Sequence, residues 1–353
     1  MKMEGKKLKW PLVGNEHITE YLEQCIAHNN IGGSYIFYGP PDLGKSTAAV
    51  YFAQTLLCQN YDKEGTELPC RTCPSCRYFS GKKNAEENAV STGETHGDCH
   101  IIRKEDDKKN ISVELVREFI RILGLSSFLG EHKVGIIRDA ECLSLEASNA
   151  LLKTLEEPKR KVVIILVTSY LDALPQTIVS RSQILRFHPV KTDIIYDYLI
   201  SAHKASRGEA KKFSRLSLGR PALAVKFLED EEWRERYRKR VEVFLKFFRQ
   251  DINERFAAVE DLIGKKAAGM EAAGTVASIL SAWQGVIRDF MLIQLGFNNL
   301  TRNEDRSGEY IALRSIVTRD KIINLNRVIG RGEEYLRANV NPKLVLEDIA
   351  VSI

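Results

Sequence analysis

The sequence predicts an α/β domain built on a parallel sheet, followed by an all-α half. Three observations carry this. Gly39-Pro40-Pro41-Asp42-Leu43-Gly44-Lys45-Ser46 is a complete G-x-x-x-x-G-K-S loop, with a β-rich run before it and an amphipathic run after it. Short β-rich runs alternate with helical patterns up to Val190, which reads as strands joined by crossover helices. Beyond Val190 the strand signals fade and helical spacing takes over.

In chain order, Ser34–Tyr38 is the strand entering the loop. Residues 45–57 form the helix leaving it, with Ala48, Ala49, Phe52, Ala53, Leu56 and Leu57 at helical spacing. Residues 80–97 are polar and rich in turn formers, which predicts a surface insertion. His100–Arg103 is the next strand. Ser112 caps a helix whose inner face is Leu115, Val116, Phe119, Ile120 and Leu123. Further strands are expected at Val134–Ile137, Val162–Val167 and Ile184–Phe187. Short helices then fill 192–228, and longer ones fill 231–353, with a polar break at 298–309. Three domains are expected, at 1–190, 191–230 and 231–353. No internal repeat or low-complexity tract is evident.

The chain has 353 residues, 44% hydrophobic and 28% charged, as in an ordinary globular protein. A net charge of +5 permits contact with nucleic acid without implying it. No apolar run long enough to cross a bilayer stands out, and the first residues lack the apolar core of an export signal. Seven cysteines with no export signal favour metal binding over disulfides, and a cytoplasmic location is expected.

The loop's chemistry demands its residue types. Gly39 and Gly44 let backbone N–H groups turn toward phosphates. Lys45 reaches the terminal phosphates, and Ser46, with Thr47 beside it, is placed for Mg²⁺ at a helix N-terminus. ATP with Mg²⁺ is the expected ligand. Hydrolysis needs an Asp at the end of a neighbouring strand to hold the metal. Here the strand Val134–Ile137 runs into Arg138 instead. Asp139 and Glu141 follow. Asp139 serves the metal if the register shifts by one; otherwise both acids sit on a solvated helix start, the reading their position favours.

Cys70, Cys73 and Cys76 are three thiols at C-x-x-C spacing, one short of a closed tetrahedral Zn²⁺ site. Cys58 best supplies the fourth ligand, with His96, Cys99 and His100 as alternatives. Four protein ligands make such a zinc structural. Cys25 and Cys142 are expected in the core. The basic run Arg234–Arg240 is threaded by Trp233, Tyr237, Val241, Phe244 and Leu245, and reads as an amphipathic helix with a solvated charged face.

Taken together these segments resemble the clamp-loader branch of the AAA+ ATPases, over essentially the whole chain. The resemblance rests on Leu12-Val13-Gly14-Asn15, the phosphate loop, the four-cysteine module and the signature Asn149-Ala150-Leu151-Leu152-Lys153-Thr154-Leu155-Glu156-Glu157-Pro158. Ser180-Arg181-Ser182 resembles the family's Ser-Arg-Cys motif with its cysteine replaced. Gly219-Arg220-Pro221 resembles the nucleotide-sensing region of the lid. Trp283, Arg288-Asp289 and Ala338-Asn339-Val340-Asn341-Pro342-Lys343-Leu344 resemble the collar.

The resemblance implies a P-loop AAA+ domain, a small helical lid and a helical collar in a ring that loads a sliding clamp onto primed DNA. It implies gamma/tau and delta subunits as partners, the clamp indirectly, and DNA through its phosphates, with no membrane. Arg181 is implied as an arginine finger acting in trans, and Arg220 as a nucleotide contact. A stator-like subunit with weak or absent hydrolysis is expected from Arg138 and from the lack of an extension past the collar. The alternatives are an ATP-hydrolysing gamma/tau-like motor and an independent zinc-bearing P-loop nucleotide kinase.

Overall fold

The computed structural model describes residues 8–61, 63, 67–80, 97–105, 108, 110–127, 132–157, 161–264, 270–338 and 340–353. His96, Pro158, Asn339 and nearly all of the 80–97 insertion lie outside the described residues. The elements run α1 (Glu16–Ala27), β1 (Ser34–Tyr38), α2 (Lys45–Leu56), α3 (Pro74–Ser80), β2 (Cys99–Ile102), α4 (Val113–Leu123), β3 (Lys133–Ile137), α5 (Leu145–Glu156), β4 (Val162–Thr168), α6 (Gln176–Val179) and β5 (Gln183–Arg186). Only helices follow: α7 (Thr192–His203), α8 (Arg207–Leu216), α9 (Pro221–Glu229), α10 (Glu231–Phe247), α11 (Ile252–Ile263), α12 (Met270–Gln294), α13 (Ser307–Leu313), α14 (Arg319–Arg337) and α15 (Pro342–Val351). The chain divides into two compact units, Met1–Lys204 with Leu218–Leu223, and Ala205–Ser217 with Ala224–Ile353.

The first unit carries a five-stranded sheet of order β2-β3-β4-β1-β5, parallel throughout. Ser34 pairs opposite Ile164 on one side of β1, and Tyr35 opposite Gln183 on the other. The inner strands are buried at nearly every position because helices cover both faces. Tyr35, Phe37, Val134, Ile136, Val163 and Ile165 face Ile18, Leu22 and Ile26 of α1 and Ala48, Ala49, Phe52 and Ala53 of α2. Ile36, Ile137, Ile164 and Leu166 face Val116, Phe119 and Leu123 of α4 and Ala147, Leu151 and Leu155 of α5. Ser112 caps α4 as expected, its side chain accepting from the N–H of Leu115 at 3.4 Å. The edge strand β5 keeps Gln183, Ile184 and Arg186 exposed.

In the second unit α12 packs against α10, α14 and α15. Its Ala272–Gln294 stretch is long and apolar enough to cross a bilayer by length and composition, which the sequence reading missed. It is instead the core helix of this unit. Trp283 stacks on Phe244 at 4.8 Å and donates to the Arg240 carbonyl at 3.0 Å. Asp289, fully buried, accepts from the N–H groups of Arg302 and Asn303 at 2.9 and 3.2 Å.

Candidate functional site

The phosphate loop leaves β1 between β4 and β5, at the carboxyl end of the parallel sheet, where open α/β sheets place ligands. Gly39 has φ 148°, and a Cβ there would lie 2.4 Å from the Phe187 carbonyl oxygen, so no other residue fits. Gly44 starts α2 with φ 85° and no side chain to cap it. The N–H groups of the first helical turn therefore lie beside the loop, with Ser46 and Thr47 half-buried in that turn. Lys45 is buried, and its Nζ donates to the carbonyls of Gly39 and Pro40, both at 2.6 Å, and to Ser169 Oγ at 3.5 Å. Burial lowers its pKa to about 8, against the opposing pull of Glu141, Asp42 and Asp139.

The acidic side of the site differs from the sequence reading. Asp139 is exposed, with φ 52°, and opens a single helical turn, Ala140–Cys142. Glu141 is not on a solvated helix start. One carboxylate oxygen accepts from the N–H of Ser169 at 3.2 Å, and the other is sealed from solvent with no hydrogen-bond partner among the described residues. The turn after Asp139 folds back over the end of β4 and carries Glu141 with it. Glu141 therefore outweighs Asp139 in its pull on Lys45. Arg138, half-buried, occupies the strand-end position, its N–H donating to the Ile102 carbonyl at 2.8 Å. Sequence reasoning missed Ser169 as well. Pairing of β1 with β4 would have found it, because the residue after Thr168 must then stand beside the loop.

Two further segments meet the loop. Asn15, in the Leu12–Asn15 motif, clamps His188 by two hydrogen bonds, donating to its carbonyl at 3.0 Å and accepting its N–H at 2.6 Å. The Gly219-Arg220-Pro221 turn is tied to Val190 through the Gly219 carbonyl at 2.8 Å, and the N–H of Ala222 donates to the Asp42 carbonyl at 3.2 Å. Half-buried Arg220 is thereby anchored at the rim of the phosphate loop.

Arg181 lies away from this loop, in the turn between α6 and β5. It is exposed, but its guanidinium is held by Glu156 at 2.7 Å and by the Thr177 carbonyl at 2.9 Å. Glu156 belongs to the Asn149–Glu157 signature. Ser182, where the resembled motif has cysteine, shares a hydrogen bond with Ser34 at 2.5 Å at the foot of β1.

Cys58, Cys70, Cys73 and Cys76 place all four sulfurs within 4.8 Å of one another, and this cluster can hold a metal ion. The Cys70 and Cys76 sulfurs are 3.9 Å apart, against about 3.8 Å for two thiolates on one tetrahedral zinc. The N–H groups of Cys73 and Cys76 point at the sulfurs of Cys70 and Cys73, both at 3.4 Å, favouring the thiolate. A hydrogen bond with Cys76 lowers the Cys58 pKa to about 5 and raises that of Cys76. Burial works against Cys70, yet the Thr72 hydroxyl and the neighbouring amides bring it to about 7. Of the alternative fourth ligands, Cys99 and His100 stand outside the cluster: Cys99 is a core thiol pushed up to about 12 by burial, and His100 bonds the Gly97 carbonyl. Cys25 is buried as expected, whereas Cys142 is only half-buried, in the turn after Asp139.

The family model described as DNA polymerase III, delta subunit, matches residues 14–191. Subunit tau of Bacillus subtilis is 31% identical over 52% of this chain and 30% of its own length. Subunit gamma of Buchnera aphidicola is 30% identical over 53% of this chain and 47% of its own. Subunit delta′ of Bacillus subtilis is 25% identical over 95% of both chains. The chain thus spans less than half the length of the tau and gamma relatives and nearly all of delta′. With its strand-loop-helix site and its match to delta′ from end to end, the chain belongs to the DNA polymerase III delta-subunit family, as a delta′-like clamp-loader subunit.

Proposed function

We propose that this chain acts as a stator-like subunit of a cytoplasmic clamp loader, which places the sliding clamp of the replicative polymerase on primed DNA. The observation that carries this reading is the match to delta′ over 95% of both chains. Arg138 in place of a metal-holding Asp agrees with it, since a cation there opposes Mg²⁺. The partners are gamma/tau and delta subunits, with DNA met through its phosphates. Three domains serve these roles: the sheet domain, a helical lid near 191–230 and a helical collar beyond. Size-exclusion chromatography with gamma/tau and delta tests the assignment. Co-elution as one complex is expected, and migration only as a free chain contradicts it.

Within that reading Gly39, Gly44, Lys45, Ser46 and Thr47 hold ATP, with Arg220 at the rim. Mg²⁺ would fall to Ser46 and a carboxylate, Glu141 being better placed than Asp139. Phosphate binding favours cationic Lys45, whereas burial favours the neutral amine. Above about pH 8 the free chain has lost that proton and must regain it on binding. ATP affinity is therefore level below pH 8 and falls by up to about tenfold per pH unit above it. Calorimetry near pH 9 in buffers of different ionisation enthalpy should report uptake of about one proton per ATP. The cysteine cluster serves as a structural Zn²⁺ site.

Arg181 acts in trans on ATP held by a neighbouring motor subunit, and Glu156 positions it. Exposed ion pairs are worth about 0.2–1 kcal/mol, so Glu156→Gln lowers ring ATPase only a fewfold, far less than loss of Arg181 itself. A ring that is unchanged by Glu156→Gln rejects the positioning role.

One observation favours a second reading, a gamma/tau-like motor: the intact loop stands beside a sealed carboxylate oxygen on Glu141. On that reading the isolated chain turns ATP over briskly with Arg138 in place. On the stator reading it does so only weakly, and Arg138→Asp raises turnover.

A further inference from the structure

The helical unit contains a cationic cleft that the clamp-loader reading does not use. It is an open cleft of about 630 Å³, formed by Trp233, Arg236, Lys239 and Arg240 of α10, the end of α11 and the first turns of α12. The sequence reading placed the whole Arg234–Arg240 run on a solvated face. Arg236, Arg238 and Lys239 are exposed as expected, but Arg240 is only 7% exposed. It sits one turn after Arg236 on the inner side of the helix, where packing of α11 and α12 encloses it.

Among the described residues no carboxylate or carbonyl satisfies the Arg240 guanidinium. Its one side-chain partner is the Trp233 ring, 5.5 Å away. Burial, with Arg236 beside it, lowers its pKa to about 10, so it remains cationic at neutral pH. Trp233 also has a buried indole N–H without a hydrogen-bond partner. Thr275 and Ser278 of α12 also line the cleft, the Ser278 hydroxyl donating to the Gly274 carbonyl at 3.0 Å. Of the acids nearby, Glu232 pairs with the exposed Arg236 at the mouth and Asp261 is exposed on the lining; neither pairs with Arg240. A buried, unpaired cation is costly unless an anion completes it.

We infer that this cleft is an anion site for phosphate groups, in a polyphosphate or a nucleic-acid backbone, with Arg240 as its inner contact and Lys239 and Arg236 at its mouth. Arginine's planar fork suits phosphate oxygens. Base stacking is not its basis, because the Trp233 ring is already covered by Lys226 at 3.9 Å and faced by Arg236 at 5.9 Å. Phosphate recognition of this kind is insensitive to base sequence and weakens as salt rises.

The test uses the full chain carrying Lys45→Ala, so that the phosphate loop does not contribute. Binding of a fluorescein-labelled oligodeoxythymidylate is followed by anisotropy, and binding of tripolyphosphate by calorimetry. Saturable binding of either probe is expected, weakened about tenfold or more by Arg240→Gln and severalfold by Lys239→Ala. Arg238→Gln, on the same helix but outside the cleft, should leave it unchanged. Binding of tripolyphosphate alone identifies a free polyphosphate as the ligand, whereas binding of the oligonucleotide identifies a nucleic-acid backbone. Because Lys239 is exposed, its variant reports on the site even if Arg240→Gln fails to fold. Absence of binding by both probes, or binding undiminished in the folded variants, overturns the inference.

Discussion

Replacing Arg181 by alanine should, on the proposed finger role, lower ATP turnover at a neighbouring subunit's site by roughly 10³–10⁵-fold, the usual worth of an arginine finger. The variant chain's own nucleotide binding should be unchanged. The separation follows from topology. Lys45 stands at the carboxyl end of the sheet, after β1, whereas Arg181 precedes β5 and sits at the opposite end, beside Ser34 at the start of β1. One Arg181 therefore has no route to the phosphates held by its own loop, and any catalytic role must be exercised on another chain. Glu156 and the Thr177 carbonyl keep the guanidinium in one orientation, so less side-chain freedom is lost on docking. The readout is ATPase of a reconstituted ring, together with ATP binding to the isolated variant. Equal loss of both would mean a damaged fold, and normal ring turnover would remove the finger role.

The second large effect concerns the cysteine cluster. Cys73→Ser should abolish stoichiometric metal binding and lower the thermal midpoint of the sheet unit. A chelator should do the same to the unaltered chain. Structural zinc contributes about 10–16 kcal/mol of apparent binding energy in small zinc-folded peptides. Only part of that is expected here as global stability, because the sheet has a core of its own. The coupling is nonetheless direct, because Cys58, Cys73 and Cys76 are buried in the same apolar cluster as Tyr61, Leu68 and the end of α2. Metal analysis by atomic absorption, paired with a melting curve, checks both halves. A Cys73→Ser chain that keeps its metal and its midpoint would contradict the assignment.

What the sequence discloses divides along physical lines. The phosphate loop and the C-x-x-C pairs are legible because their chemistry is local: glycine conformations, a lysine and closely spaced thiols fix the geometry within a few residues. The strands are legible where burial on both faces makes them continuously apolar, as in Val162–Val167. Glu141 and Ser169 were not legible, because their placement depends on sheet order, which sets β4 beside β1. Arg240 was hidden for a related reason. Helical spacing shows that it follows Arg236 by one turn, but only the packing of α11 and α12 buries it. Cys142 was misjudged because the segment after Asp139 is a single helical turn and not a helix with a buried face.

The central claim is that this chain holds ATP without turning it over, its own catalytic group being directed elsewhere. Direct measurement of ATP binding and ATP turnover on the purified chain tests it. Saturable binding that is lost in Lys45→Ala, with turnover near background, is the expected result. Brisk turnover by the isolated chain with Arg138 in place would contradict it and make this subunit a motor.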